Sequence, residues 1–129
     1  MKFDTVNLDG IALNYAVAKA AGYSDKQLNE AVEKNSLPDF ISSWQLAGHI
    51  LEEEVIQIIP YTSPHGVDRW RADHRHPFKS AGSFAYGKTP LVAAMRCFAQ
   101  EKLGFKVDLP AEIQPSPAKG PLLGRRMSL

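Results

Sequence analysis

The chain has 129 residues, of which 44% are hydrophobic and 22% are charged, and its formal net charge is +1. This length fits one domain with one hydrophobic core, which needs no disulfide or structural metal in order to fold. The single cysteine, Cys97, excludes an internal disulfide and favours a reducing, cytoplasmic location. No apolar stretch approaches the roughly 18 residues of a membrane span, and the small net charge argues against a nucleic-acid partner.

Two helices are predicted near the start of the chain. Asp9 is a typical N-cap for an alanine-rich helix that runs to the stop signal Gly22. Ser24 begins a shorter helix that extends to Lys34, and Gln27 completes a capping box with this serine. The mostly polar composition of the second helix predicts that it lies on the surface.

The middle of the chain predicts a short antiparallel sheet. Residues 44–54 mix apolar and acidic side chains and predict a short helix or turn, and the β-branched run 55–59 predicts a strand that ends at the following proline. Residues 61–83 are rich in Gly, Pro, Asp and His around 70–72, which indicates another strand between loops. Residues 84–86 are expected to pair with that strand.

Residues 82–89 match the phosphate-loop pattern G-x-x-x-x-G-K-[ST], in which backbone amides surround phosphates. The context argues against nucleotide hydrolysis. Pro90 supplies no N–H, and too few residues follow it for the parallel strands and the metal-binding Asp that phosphoryl transfer requires. The run 74–81 also lacks the apolar strand on which such a loop is mounted. We therefore interpret the motif as the start of a helix.

A long helix is predicted directly after this motif. Thr89 is its N-cap, Pro90 occupies the favoured first position, and Gly104 is its stop signal. One face carries apolar side chains at helical spacing and predicts a buried stripe: Leu91, Ala94, Met95 and Phe98. A second row places Arg96 among apolar neighbours. We expect Arg96 either to pair with a carboxylate or to face an anionic ligand, and the internal pair is preferred.

The other polar clusters are interpreted as solvated surface, so no catalytic residue, metal or cofactor is expected. The histidines and aspartates of the central segment lack the spacing of a zinc motif and are expected in a solvated loop: His65, Asp68, Asp73, His74 and His76. The three adjacent glutamates at 52–54 point in different directions on a helix and are expected to be solvated. Cys97 is interpreted as a small buried hydrophobe.

Several motifs of the chain resemble the NinX-like family of phage and prophage proteins. They are L-x-G-x-A-L-x-Y-A-V-A-K at 8–19, Ser42-x-Trp44, Trp70-x-Ala72 and T-P-L-x-A-A-M-R-C at 89–97, and the resemblance covers about residues 5–113. Where that family commonly has Gly-Gly-Pro after a tryptophan, this chain has residues 47–49, Ala-Gly-His. The resemblance implies a protein encoded by a tailed phage or prophage. Because the family is a domain of unknown function, the resemblance implies no chemistry.

Together these patterns predict an α+β domain over residues 1–113, with about three helices packed on a short antiparallel sheet. A proline-rich tail follows at 114–129, and Lys119, Arg125 and Arg126 make it basic. Because the tail also contains an apolar segment, it is expected to lie across a second copy of the chain. The expected assembly is a homo-oligomer, most simply a dimer.

The expected function is non-catalytic binding of a small anionic, nucleotide-like ligand or of a host protein, which would counter host defence in the cytoplasm of the infected cell. The expected ligand-binding residues surround the start of the last helix: Trp44, Trp70, Tyr86, Lys88, Thr89 and Arg96. Two alternatives remain open. One is an enzyme that acts on a phosphate-bearing substrate, and the other is a nucleic-acid accessory protein that uses the basic tail.

Overall fold

The computed structural model describes residues 1–115. Within them lie four α-helices, namely α1 (Gly10–Ala20), α2 (Asp25–Glu33), α3 (Trp44–Glu54) and α4 (Pro90–Leu103), and two short 3-10 helices, Thr5–Asn7 and Ala111–Ile113. The strands are β1 (Lys2–Asp4), β2 (Ile56–Ser63), β3 (Gly66–His74), β4 (Phe84–Gly87) and β5 (Lys106–Asp108). The predicted α+β class is confirmed, with four helices rather than three. Most of the predicted tail, with Lys119, Arg125 and Arg126, lies outside the described residues.

Helix α4 forms the centre of the core. It packs against the sheet of β2, β3 and β4 and against α1 and α3. Its apolar residues are buried, including the predicted stripe: Leu91, Ala93, Ala94, Met95, Cys97, Phe98 and Ala99. Such burial around a helix is typical of one enclosed by other elements. α4 has 14 residues, and no helix within residues 1–115 is both long enough and apolar enough to cross a membrane.

The strands β2, β3 and β4 form an antiparallel sheet in chain order, with β3 in the middle. The predicted pairing of residues 84–86 with the preceding strand is confirmed, and Arg71 lies opposite Tyr86. The edge strand β2 contains Pro60 and has an irregular register between Tyr61 and Thr62. The strand therefore continues past the proline at which it was predicted to end, because an edge strand tolerates a missing N–H.

β3 lies in the segment that was expected to contain a solvated cluster of histidines and aspartates. Ala72, Asp73 and His74 are buried at the end of this strand. The expectation of a solvated loop is therefore wrong for Asp73 and His74. The strand extends further than the short pattern around Trp70 indicated. His74 points into the fold, whereas Asp73 points to the opposite face and is covered there by its ion pair with Arg71.

A second sheet consists of β1 and β5, which pair in an antiparallel manner. Sequence analysis did not predict these strands, because three residues are too few to show a period of two. Opposite charges lie across from each other in this pair, with Lys2 facing Asp108 and Asp4 facing Lys106. Cross-strand ion pairs of this kind stabilise short strand pairs.

The predicted helix caps are confirmed. Ser24 and Gln27 form the capping box of α2, and the Thr89 side chain accepts a hydrogen bond of 3.1 Å from the Val92 amide at the start of α4. α3 is a complete helix of 11 residues with Ser43 as its N-cap, rather than a short helix or turn.

Gly87, at the end of β4, lies directly against α4. A Cβ atom at this position would lie 2.5 Å from Ala93 N and 2.8 Å from Val92 Cγ1. We expect Gly87→Ala to lower the free energy of unfolding by about 1–3 kcal/mol, the usual range for overpacking. Urea denaturation measures this difference.

Gly48→Ala is the matched control for this substitution. Gly48 lies inside α3, and a Cβ atom there would meet nothing within 4 Å. Alanine is the better helix former, so Gly48→Ala should raise the free energy of unfolding by up to about 1 kcal/mol. If the two substitutions had the same effect, the close approach at Gly87 would not be the cause.

Cys97 is buried in α4, as predicted, and its thiol donates a weak hydrogen bond to Ser83 O at 3.5 Å. Burial, together with the negative charges of Asp73 and Glu101, raises the pKa of the Cys97 thiol to about 12. Because the thiolate is the reactive species, we expect the native protein to react with a maleimide at least about 100-fold more slowly than the urea-unfolded chain. Equal labelling rates would contradict this burial.

Candidate functional site

The sequence that matches a phosphate loop folds as a strand followed by a helix. Its central residues form β4, and its second glycine, Gly87, is the one that contacts α4. The Thr89 hydroxyl is used as the N-cap of α4, and Lys88 is exposed. The interpretation of the motif as a helix start is therefore confirmed, and strand–helix packing accounts for its glycine and its threonine.

Two of the predicted ligand-binding residues, Trp44 and Thr89, line a groove of about 280 Å³ beside the start of α4. Trp44 is 56% exposed, so it is not the core anchor that a tryptophan more often provides. Lys88, next to Thr89 in the chain, is also exposed. Trp70, in contrast, is half-buried on β3 and packs against the core.

Two further predicted residues, Tyr86 and Arg96, line a second cavity of about 280 Å³ beside β4, which we call the edge pocket. Three aromatic residues form much of its wall, namely Phe84, Tyr86 and Phe105. Three residues with polar or charged side chains also line it, namely Asn7, Arg96 and Gln100. The structure therefore divides the predicted residues between two surfaces and does not gather all six into one site.

Arg96 is held by backbone carbonyls and not by a carboxylate. Its Nε donates to Leu8 O at 2.7 Å and its Nη1 donates to Tyr86 O at 2.8 Å. The preferred expectation of a carboxylate pair is wrong, because the carbonyls of an edge strand and of the N-terminal segment supply acceptors instead. Burial lowers the pKa of this guanidinium, against the opposing effect of Asp9. Since a guanidinium has five N–H groups, three stay free of partners within residues 1–115.

Gln100 provides a second unused hydrogen-bonding group beside Arg96. Its Oε1 is buried and has no hydrogen-bond partner among the described residues. A buried acceptor without a partner costs about 1–3 kcal/mol.

Phe84 and Tyr86 also belong to the sheet surface that faces away from α4, which we call the outer face. This surface combines aromatic rings with guanidinium groups: Tyr61, Arg69, Arg71, Phe84 and Tyr86. The Arg69 Cζ lies 4.3 Å from the centroid of the Tyr86 ring and 5.2 Å from that of Tyr61. The outer face and the edge pocket are thus one continuous surface.

The outer face carries more positive charge than negative charge. Arg71 is neutralised by Asp73, since its Nη2 lies 2.9 Å from Oδ1 and its Nε lies 3.1 Å from Oδ2. Arg69 and Arg75 have no carboxylate partner within the described part of the chain, and Arg75 donates to the Gln57 side chain instead. Two guanidinium charges therefore remain available to a ligand.

Sequence analysis missed four residues of the outer face, namely Tyr61, Arg69, Arg71 and Phe84. The available signal was the alternation Arg69-x-Arg71 within a predicted strand, which places both side chains on the same face. It went unused because the surrounding Gly, Pro and His residues indicated loops.

A separate ionic cluster lies where β3 meets the ends of α3 and α4. The His74 ring is fully buried, with its Nε2 2.8 Å from Glu54 Oε1 and its Nδ1 3.6 Å from Glu101 Oε1. Lys102 Nζ lies 3.2 Å from Glu54 Oε2. Glu54 is therefore not the solvated residue that was expected.

Glu54 and Lys102 also border a cleft of about 500 Å³ between α1, α3 and α4, with His49 at its wall.

The arrangement of this cluster favours a role in stability. It ties three elements together through the His74–Glu54 hydrogen bond and the Glu54–Lys102 ion pair, and no group of three or more potential metal ligands is found within residues 1–115. Burial by itself raises the pKa of the Glu54 carboxyl, but the hydrogen bond with His74 and the ion pair with Lys102 outweigh it, so the pKa of Glu54 is lowered.

A carboxyl whose pKa is lowered by folding stabilises the protein above its unfolded pKa of about 4.3, and this contribution is lost as the pH falls through the folded value. We therefore expect Glu54→Gln to lower the free energy of unfolding by about 1–2 kcal/mol at pH 7 and by less near pH 3. Urea denaturation at both pH values measures this. Glu53→Gln is the control, because Glu53 is exposed and has no ion pair among the described residues. If Glu54→Gln lowered the free energy of unfolding equally at both pH values, the stabilisation by Glu54 would not come from its charge.

The family model described as "Bacteriophage P22, NinX" matches residues 4–102. No curated protein matches the chain. The matched segment contains α1 to α3, the three-stranded sheet, α4 except its last residue and all six predicted ligand-binding residues. The chain therefore belongs to the NinX family of phage proteins.

Proposed function

We propose that this phage protein is an accessory factor that binds a small anionic, nucleotide-like ligand on the outer face and in the edge pocket. The observation that supports the proposal most directly is that Arg69 lies over the rings of Tyr61 and Tyr86 and has no carboxylate partner within residues 1–115. A guanidinium held in this way pairs with phosphate through its N–H groups. The neighbouring rings offer planar surfaces on which a base stacks.

The edge pocket complements this charge with hydrogen-bonding groups for the uncharged part of the ligand. Arg96 lines this pocket and has N–H groups without a partner among residues 1–115. The cavity of about 280 Å³ is at the lower end of the size of ligand sites, so it fits a ring system better than a complete large ligand. The phosphate would remain on the outer face.

The groove of Trp44 and Thr89 is the competing location for the ligand. Its electrostatic attraction would come from the start of α4 and from Lys88. However, the Thr89 hydroxyl already accepts the Val92 amide and Pro90 has no N–H, so few donors remain for a phosphate. We therefore place the ligand on the outer face and treat the groove as the alternative to be tested.

The composition of the edge pocket supports binding rather than turnover. Its lining within the described residues contains no Asp, Glu or His side chain that could act as a general base. Capture of a ligand without turnover would allow a phage protein to counter host defence by sequestration in the host cytoplasm. The proposal includes this role, and a host protein is the alternative binding partner to the small ligand.

We also propose that the chain forms a homo-oligomer, most simply a dimer, through its tail. It rests on the apolar and proline-rich sequence of residues 116–129, which lie outside the described residues. Light scattering of the full chain and of a chain that ends at residue 115 measures it. A dimer that becomes a monomer on truncation would support the tail contact, and an unchanged mass would contradict it.

Binding of nucleoside monophosphates, measured by isothermal titration calorimetry, tests the proposed ligand. We expect Arg69→Gln to weaken binding by about 10-fold, because it removes a charged hydrogen-bond donor to the phosphate. Lys26→Gln is the matched control, since it removes one exposed positive charge from α2, away from the outer face.

Trp44→Ala distinguishes the two locations. If the nucleotide binds on the outer face, the Trp44→Ala variant should bind it as tightly as the unsubstituted chain does. A loss of affinity in Trp44→Ala, with normal binding in Arg69→Gln, would move the ligand to the groove beside α4. The absence of binding by any nucleotide, at concentrations up to the millimolar range, would refute the small-ligand proposal.

A further inference from the structure

This inference rests on the site of the proposed function: we propose that the nucleotide recognised there belongs to a single strand of nucleic acid whose backbone follows β3 across the outer face and one of whose bases enters the edge pocket. The inference concerns the length of the ligand and the number of phosphates that it presents. The net charge of +1 does not bear on it, because the relevant charges are local to one face.

The separation of the two unneutralised arginines carries the argument. Arg69 lies within β3, and Arg75 directly follows this strand, where its amide donates to Val55 O at 2.8 Å. Six residues of extended chain span about 20 Å at roughly 3.3 Å per residue. A mononucleotide has its phosphate at one end only and cannot reach both guanidinium groups, whereas a strand of about four to six nucleotides can.

The aromatic residues lie where bases of such a strand would be. The rings of Tyr61, Tyr86 and Phe84 surround Arg69 and Arg71, with the Tyr61 and Tyr86 centroids 5.5 Å apart and the Phe84 and Tyr86 centroids 6.2 Å apart. Stacking on such rings does not depend on the identity of the base. The face is therefore suited to a strand of any sequence.

The edge pocket adds a place for one unstacked base. Phe105, which lines the pocket, is 74% exposed and leaves a large ring uncovered by the rest of the described chain. The edge of a nucleobase carries acceptors, which match the N–H groups of Arg96 that have no partner within residues 1–115.

Fluorescence polarisation with labelled deoxyadenosine oligonucleotides of 1 to 12 nucleotides tests the inference with the full chain. Affinity should rise with length up to about six nucleotides and then level off. The logarithm of the association constant should fall with the logarithm of the salt concentration with a slope of about −1.4, since each of two phosphate contacts contributes about −0.7. Arg69→Gln should reduce the slope to about −0.7.

Two exposed phenylalanines test the edge pocket without a large effect on folding. Phe105→Ala should weaken binding by at least about 5-fold, the lower end of the effect of losing one base stack. Phe78→Ala is the control, because Phe78 is 89% exposed and does not line the edge pocket. Normal binding by Phe105→Ala would overturn the role of the pocket.

The outcomes separate this inference from the proposed function. If a mononucleotide binds as tightly as the 12-mer, the inference is overturned and the small-ligand proposal stands. If neither binds, both fail. If a polyglutamate peptide of 12 residues competes for the protein as well as the unlabelled 12-mer oligonucleotide does, negative charge alone is recognised and the inference is also overturned.

Discussion

The burial of α4 is the constraint on which the rest of the structure depends. A helix with apolar side chains around much of its circumference must be covered by several elements, and here the three-stranded sheet, α1 and α3 provide that cover. The sheet comes close because the residues facing α4 are small, as Ala72, Ala85 and Gly87 show. The rings of Tyr61, Phe84 and Tyr86 lie on the outer face, which a single layer of helices leaves uncovered.

Local signals in the sequence predicted the elements whose ends are determined by nearby residues. The capping box of Ser24 and the Thr89-Pro90 start of α4 depend only on the first turn of each helix, so both could be predicted. The partners of Arg96 could not, because one of them, Leu8, is 88 residues away. The burial of Glu54 and His74 likewise depends on how distant elements pack. β1 and β5 were too short to predict.

The candidate site shows the same division between local and distant signals. Tyr86 and Arg96 were chosen for their chemistry near a helix start, and the structure brings these two together in the edge pocket. The nearby Lys88 and Thr89 were chosen for the same reason and lie elsewhere. Alternation along β3 indicates which of its own side chains share a face, but only the register of β3 with β4 shows that Arg71 and Tyr86 are neighbours, and no local pattern fixes that register.

Both edges of the three-stranded sheet have features that affect how the protein behaves at high concentration. In β2, Pro60 lacks an N–H and the register is irregular directly after it, while the Tyr86 carbonyl in β4 is already bonded to Arg96. A strand from another chain would find an interrupted ladder at either edge, and such interruptions are how natural sheets avoid aggregation. Both edges of this sheet therefore disfavour pairing with a strand of another molecule, which helps the protein to stay dispersed at high concentration.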